Sequence, residues 1–198
     1  VCAYFTADAQ QEPTPADLAQ LCLGIHRLPA RHHKLDLGNR IKHYENQLGR
    51  TAKPLPPEAI RSAIAKRLNR SEISNTPASL CHNDLLAANF IDDGDRLWLL
   101  DWEYAGYDST LFDLANLASN SLFDTAAQAD LLTSYFGAPP AADFLHRLGA
   151  MMCASLLREA MWSMVQEVHS SLDFDFLAYT AENLERFENA LIAWRASA

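Results

Sequence analysis

Two short apolar runs, Asn89-Phe90-Ile91 and Leu97-Trp98-Leu99-Leu100, flank the tetrad Asp92-Asp93-Gly94-Asp95. This arrangement constrains the fold more than any other feature of the chain. Turn-forming residues between two strand-like runs specify a β-hairpin, and most of what surrounds it repeats at helical spacing. Pro13-Thr14-Pro15-Ala16-Asp17 is a helix start, followed by Leu18, Leu21, Cys22 and Ile25 on one face and ended by Pro29. A short helix is expected around Ile41 to Leu48. Another starts at Pro56-Pro57-Glu58 and runs to about Ile73, with Ile60, Ile64 and Leu68 on one face. Leu80-Cys81 is a brief apolar step before a polar stretch. After Asp101 everything reads as helix, over 110–122, 124–136, 140–170 and 174–196, with Gly137-Ala138-Pro139-Pro140 as a break. The opening Val1-Cys2-Ala3-Tyr4-Phe5 is like the tail of a strand. The expected class is mainly α with a small β-hairpin.

Composition removes several functions. With 25 acidic and 16 basic residues the formal charge is −9, which argues against nucleic-acid binding because that needs a basic face. Hydrophobic residues at 49% and charged residues at 21% leave room for a sizeable core. Cys2, Cys22, Cys81 and Cys153 form no CxxC pair, so they read as reduced core thiols rather than a disulfide framework or zinc site. No apolar run approaches the ~20 residues that span a bilayer, and the N-terminus lacks a signal-peptide pattern. A cytoplasmic protein is expected. There is no G-x-S-x-G elbow and no H-E-x-x-H motif.

The polar residues at the ends of the hairpin carry the chemistry. Asp84 stands five residues before Asn89, and Asp101 follows the second run. A kinase catalytic loop has an Asp and an Asn at this spacing, with a metal-binding Asp after the next hairpin. One carboxylate accepts a proton from the attacking hydroxyl, while the other and an amide oxygen hold magnesium against the nucleotide phosphates. Singly, each residue has a plainer reading: Asp84 as a turn residue, Asn89 as a strand-edge amide, Asp101 as a helix cap. His82 reads as a structural holder of the loop backbone. Trp98, inside the second run, reads as core.

Cys81-His82-Asn83-Asp84-Leu85-Leu86-Ala87-Ala88-Asn89-Phe90-Ile91, Leu100-Asp101-Trp102-Glu103-Tyr104-Ala105-Gly106-Tyr107 and Phe112-Asp113-Leu114-Ala115-Asn116 closely resemble the choline/ethanolamine kinase family. That family belongs to the group that contains aminoglycoside phosphotransferases. Arg158-Glu159-Ala160-Met161-Trp162 and Ser171-Leu172-Asp173-Phe174-Asp175-Phe176 look like its bacterial branch. The resemblance implies the C-terminal lobe of a protein-kinase-like (α+β) fold, with residues 1–6 a hinge-like strand whose backbone meets adenine and 7–198 the catalytic lobe. It implies ATP and Mg²⁺, with Asp84 as base, Asn89 and Asp101 as metal ligands, and Asp113 bracing the catalytic loop through backbone hydrogen bonds.

The glycines are dispersed, and Lys34, Lys42, Lys53 and Lys66 follow no Val-Ala-Ile-like strand. The phosphate-gripping sheet lobe is therefore expected to be missing, through truncation. The surface it leaves would be apolar and prone to self-association.

A small cationic alcohol is the expected substrate, choline or ethanolamine first, held on aromatic faces. Glu103, Tyr104, Trp162, Phe174 and Tyr179 are the candidate contacts, with Glu159, Asp173 and Asp175 as further negative charge. Eukaryotic members resemble one another in having a Glu seven residues after the Asp at position 113, where this chain has Asn120. Aminoglycoside or thiamine kinases stay open as alternatives, as does a catalytically silent ligand-binding lobe.

Overall fold

The computed structural model describes residues 5–6, 13–28, 37–49, 58, 61–62 and 79–197. The chain divides into two compact units, one of Val1–Leu35 with Thr76–Leu148 and one of Asp36–Asn75 with Gly149–Ala198. Val1-Cys2-Ala3-Tyr4 and nearly all of the expected helix from Pro56 to Ile73 lie outside the described residues, Glu58, Arg61 and Ser62 being helical.

In the first unit, helix α1 (Pro15–His26) begins as its sequence demands. Thr14 caps it through a reciprocal box, its Oγ1 accepting from Asp17 N at 3.2 Å while Asp17 Oδ2 accepts from Thr14 N at 2.9 Å, with Pro15 at the first helical position. The Thr14 hydroxyl, donating to Asp17 Oδ2 at 2.6 Å, and then the Thr14 backbone N–H hold the Asp17 carboxyl below its usual value.

Strands β2 (Ser79–Cys81), β3 (Phe90–Asp92), β4 (Leu97–Leu99) and β5 (Gly106–Asp108) make two small sheets. In one, β3 pairs antiparallel with β4, Phe90 opposite Leu99 and Ile91 opposite Trp98, and parallel with β1 (Phe5–Thr6), Phe5 opposite Ile91. In the other, β2 pairs antiparallel with β5, Cys81 opposite Gly106. The hairpin turn needs Gly94, whose φ of 88° suits a residue without Cβ.

Helices α3 (Thr110–Asn120) and α4 (Thr125–Phe136) also belong to this unit, with α2 (Leu37–Leu48) falling in the other. Helix α1 lies against α4, where Gln20 Nε2 donates to Ser134 O at 2.9 Å. Every residue of α3 is buried, so its polar members must find partners inside the protein. Leu18, Leu85, Phe90, Leu114, Leu117, Leu131 and Leu132 fill the core around it.

Two expectations are corrected here. The chain after Asp101 is not wholly helical: a 3₁₀ turn at Trp102–Tyr104 and strand β5 precede α3. Strand β5 has only three residues and gains its stability from pairing with β2, so no local period announces it. Trp98 is not core either but 45% exposed. Pleating puts Trp98 and the buried Phe90 on opposite faces of the hairpin. The indole donates to Asp93 Oδ2 at 2.6 Å, and the Arg96 guanidinium lies 4.8 Å from its ring.

The second unit contains α2, most of α5 (Ala142–His169) and α6 (Phe176–Ala196). Here α5 and α6 run antiparallel. Ser163 Oγ donates to Phe176 O at 3.1 Å near one end, and at the other a Cβ on Gly149 would meet Trp194 Cδ1 at 3.2 Å. Ile41, Leu48, Leu157, Met161 and Phe187 are buried, and Arg61 Nε pairs with Glu45 Oε1 at 2.7 Å.

Candidate active site

The segment from His82 to Asn89 is irregular backbone, and backbone bonds there must be satisfied by something other than a ladder. Helix α3 supplies that. Asp113 is the fourth residue of the helix, past the cap position, and turns its carboxylate onto the loop. Oδ2 accepts from His82 N at 2.8 Å and Oδ1 from Asn83 N at 2.7 Å. One turn on, Asn116 Oδ1 accepts from Leu85 N at 2.5 Å, and one turn further Asn120 Nδ2 donates to Leu85 O at 3.3 Å. Positions 113, 116 and 120 share one face of an α-helix. The structure thus gives Asn120 a partner in the loop itself.

Asp84 sits inside this clamp, 7% exposed. Asn83 immediately before it has φ of 65°, a left-handed conformation that Asn tolerates better than most residues. The Asn83 side chain donates to Tyr104 O at 3.2 Å, tying the loop to the 3₁₀ turn.

Three bonds gather the remaining groups. Asn89 Nδ2 donates to Asp84 O at 2.9 Å, which orients the side-chain amide. Leu100 N donates to Asn89 O at 2.8 Å, extending the hairpin by one pair. His82 Nε2 donates to Leu100 O at 2.8 Å, its ring edge-on to Trp102 at 4.8 Å. His82 thus ties the loop to the residue before Asp101.

Asp101 itself has φ of 60° and makes no side-chain cap bond to the 3₁₀ turn it precedes. A non-glycine residue held there costs roughly 1 kcal/mol, and the carboxylate is exposed rather than spent on a cap. The helix-cap reading of Asp101 therefore fails. An amide oxygen on Asn89 and an exposed carboxylate on Asp101 are hard oxygen donors of the kind Mg²⁺ takes.

Glu103 and Tyr104 follow in the 3₁₀ turn, Glu103 exposed and Tyr104 half-buried. Trp162, Phe174 and Tyr179 belong to the second unit. Phe174 packs edge-on to Tyr179 at 5.7 Å and to Phe176 at 4.8 Å, and Trp162 to Phe176 at 6.0 Å. In that cluster Glu159 is buried and accepts from Tyr179 Oη at 2.9 Å and Arg158 Nη2 at 3.2 Å. Burial, then the neighbouring Glu159, pushes the Tyr179 phenol up. Asp175 caps α6, its carboxylate accepting from Ala178 N at 2.9 Å.

Sequence reasoning missed as members of the site Asn116, Asn120 and His26, whose Nε2 lies 3.0 Å from Asp113 Oδ2. The signal for the first two was available: polar residues one turn apart on an otherwise apolar helix, on the face of Asp113.

A family model described as choline/ethanolamine kinase matches residues 18–130, more than half of the chain. The chain is 31% identical over 133 residues to ethanolamine kinase 2 of Mus musculus, a match covering 57% of this chain and 34% of that protein. It therefore spans about a third of the length of that curated relative. Among solved structures, a choline/ethanolamine kinase family protein from Mesorhizobium loti matches with a TM-score of 0.73 at 25% identity, over 89% of this chain and 60% of that one. LicA in complex with AMP matches with a TM-score of 0.73 at 21% identity, over 93% of this chain and 62% of that one.

Proposed function

From the premise that this chain belongs to the choline/ethanolamine kinase family, we propose that it carries the catalytic and magnesium-binding half of an ATP-dependent phosphotransfer to the hydroxyl of a small amino alcohol. Choline and ethanolamine are the first candidates. Residues 7–198 serve as the catalytic lobe and residues 1–6 as its hinge strand.

One observation carries the reading. Asp84, Asn89 and Asp101 are tied to one end of the hairpin by the bonds Asn89 Nδ2 to Asp84 O, Leu100 N to Asn89 O and His82 Nε2 to Leu100 O. Phosphoryl transfer asks for positioning and charge stabilisation rather than covalent chemistry from the protein, and a clamped loop with oxygen donors at its rim suits that demand. Asp84 accepts the proton of the attacking hydroxyl, and the rigid loop holds its carboxylate for that task. Asn89 and Asp101 would hold Mg²⁺, which when bound neutralises phosphate charge. Glu103, Tyr104, Trp162, Phe174 and Tyr179 are the candidate contacts to the substrate cation.

The test is transfer of labelled phosphate from Mg-ATP to choline, ethanolamine, thiamine and an aminoglycoside, by the wild-type chain and by Asp84→Ala. Amino-alcohol phosphorylation that drops about 10²–10⁴-fold in the variant is expected. A wild-type rate in Asp84→Ala would remove that residue from the mechanism, and preference for thiamine or the aminoglycoside would replace the substrate class.

A further inference from the structure

The carboxylate that clamps the catalytic loop has a third partner outside the motif stretch. His26, the last residue of α1, places Nε2 3.0 Å from Asp113 Oδ2 and Nδ1 2.7 Å from Tyr135 Oη on α4. The His26 and Asp113 side chains are 2% and 1% exposed, so each polar atom in this line must be paired within the protein.

The proton positions follow from the partners. Burial first raises the Tyr135 phenol to about 12, so it stays protonated, and Thr110 at the start of α3 hydrogen-bonds to it. A carboxylate oxygen can only accept, so His26 Nε2 carries a proton and donates to Asp113 Oδ2. The carboxylate then receives three N–H donors: His26 Nε2, His82 N and Asn83 N.

A metal reading of the same place fails on these bonds. One ring nitrogen of His26, Cys81 Sγ and an Asp113 oxygen lie within 4.8 Å of one another. Both His26 nitrogens and both Asp113 oxygens already have partners, however. Burial, and then the Asp113 charge, push the Cys81 thiol up and keep it protonated. The cluster is a hydrogen-bond hub.

We infer that His26, backed by Tyr135, is a positioning residue for phosphotransfer: it fixes the Asp113 carboxylate, which in turn fixes the His82–Asn83 backbone and so the placement of Asp84. The two backbone donors, one on each oxygen, set the plane of the carboxylate. A third donor on Oδ2, itself bonded to a phenol from another helix, ties that carboxylate to α1 and α4 and so resists its displacement with the loop. The catalytic function of the loop is taken from the reading above; the hydrogen-bond control of the loop is independent of it.

The experiment uses the full chain, ¹⁵N-labelled, as wild type, His26→Leu, His26→Gln and Tyr135→Phe. Amide exchange at His82 and Asn83 is read by NMR, with α6 amides as an internal reference. Exchange at least tenfold faster at both amides in His26→Leu, with α6 unchanged, is expected. His26→Gln, which keeps a donor toward Asp113, should return to within about threefold of wild type, and Tyr135→Phe should fall between. Wild-type exchange at His82 and Asn83 in His26→Leu overturns the inference. If His26→Leu does not fold, Tyr135→Phe decides: at least threefold faster loop exchange supports the inference and wild-type exchange overturns it.

In the transfer assay, His26→Leu should lower kcat at least tenfold and keep both KM values within twofold. An unchanged kcat with a raised KM refutes positioning. If Asp84→Ala transfers phosphate at the wild-type rate, the proposed function falls, while the amide exchange still decides the role of His26.

Discussion

Replacing Asp113 by Asn keeps its size and removes one acceptor, which makes it the sharpest perturbation of the loop clamp. The wild-type carboxylate takes His82 N at 2.8 Å and His26 Nε2 at 3.0 Å on Oδ2, and Asn83 N at 2.7 Å on Oδ1. The best Asn rotamer keeps its oxygen at the doubly used position. Its NH₂ group then faces the Asn83 N–H donor to donor. Leaving one buried donor unsatisfied costs about 1–3 kcal/mol. The two surviving bonds lose their charge assistance, about 1 kcal/mol each. Removing a buried charge gives part of this back, since a desolvated carboxylate is costly in itself. The net expectation is a loss of about 2–4 kcal/mol. With a urea slope of about 2 kcal/mol/M for a chain of this size, the midpoint should fall by roughly 1–2 M, read by circular dichroism. A fall below ~0.3 M at unchanged slope would show that the clamp contributes little, and the account of α3 as the loop's anchor would be wrong.

Two further outcomes follow from burial and backbone. Burial raises the Cys22 and Cys81 thiols and takes Cys153 to about 11. An unfolded thiol ionises near ~8.5, so above that pH the unfolded chain binds fewer protons than the folded one. Stability present below pH ~8.5 should therefore be lost as pH rises, by up to about 1.4 kcal/mol per unit for each buried thiol. Urea midpoints that stay level from pH 7.5 to 10 under reducing conditions would contradict this. Gly137 ends α4 at φ of 76° with open space where a Cβ would go. Gly137→Ala should cost about 1 kcal/mol through backbone strain alone, and an unchanged thermal midpoint would refute it.

The parts legible in the sequence are those whose causes are local. Thr14 and Asp17 are three residues apart and cap α1 between themselves. The turn Asp92-Asp93-Gly94-Asp95 has its own hydrogen bonds, Gly94 N to Asp92 Oδ1 at 2.8 Å among them. The last four helices could be read from their periods, and the spacing of Asp84, Asn89 and Asp101 named the candidate chemistry before any fold was in hand. Tertiary structure decided the rest, because it depends on which distant groups meet. Strand β5 exists only through its pairing with β2. Trp98, 45% exposed, stands on the face of the hairpin opposite the buried Phe90, a placement no local pattern holds. His26 meets Asp113 across 87 positions and Tyr135 across 109. A histidine at the end of a helix looks from sequence like an ordinary partner for the helix dipole. Full burial is what converts it into part of the catalytic loop's support, since a desolvated ring nitrogen must be paired and the groups available to pair it are the clamp carboxylate and a phenol.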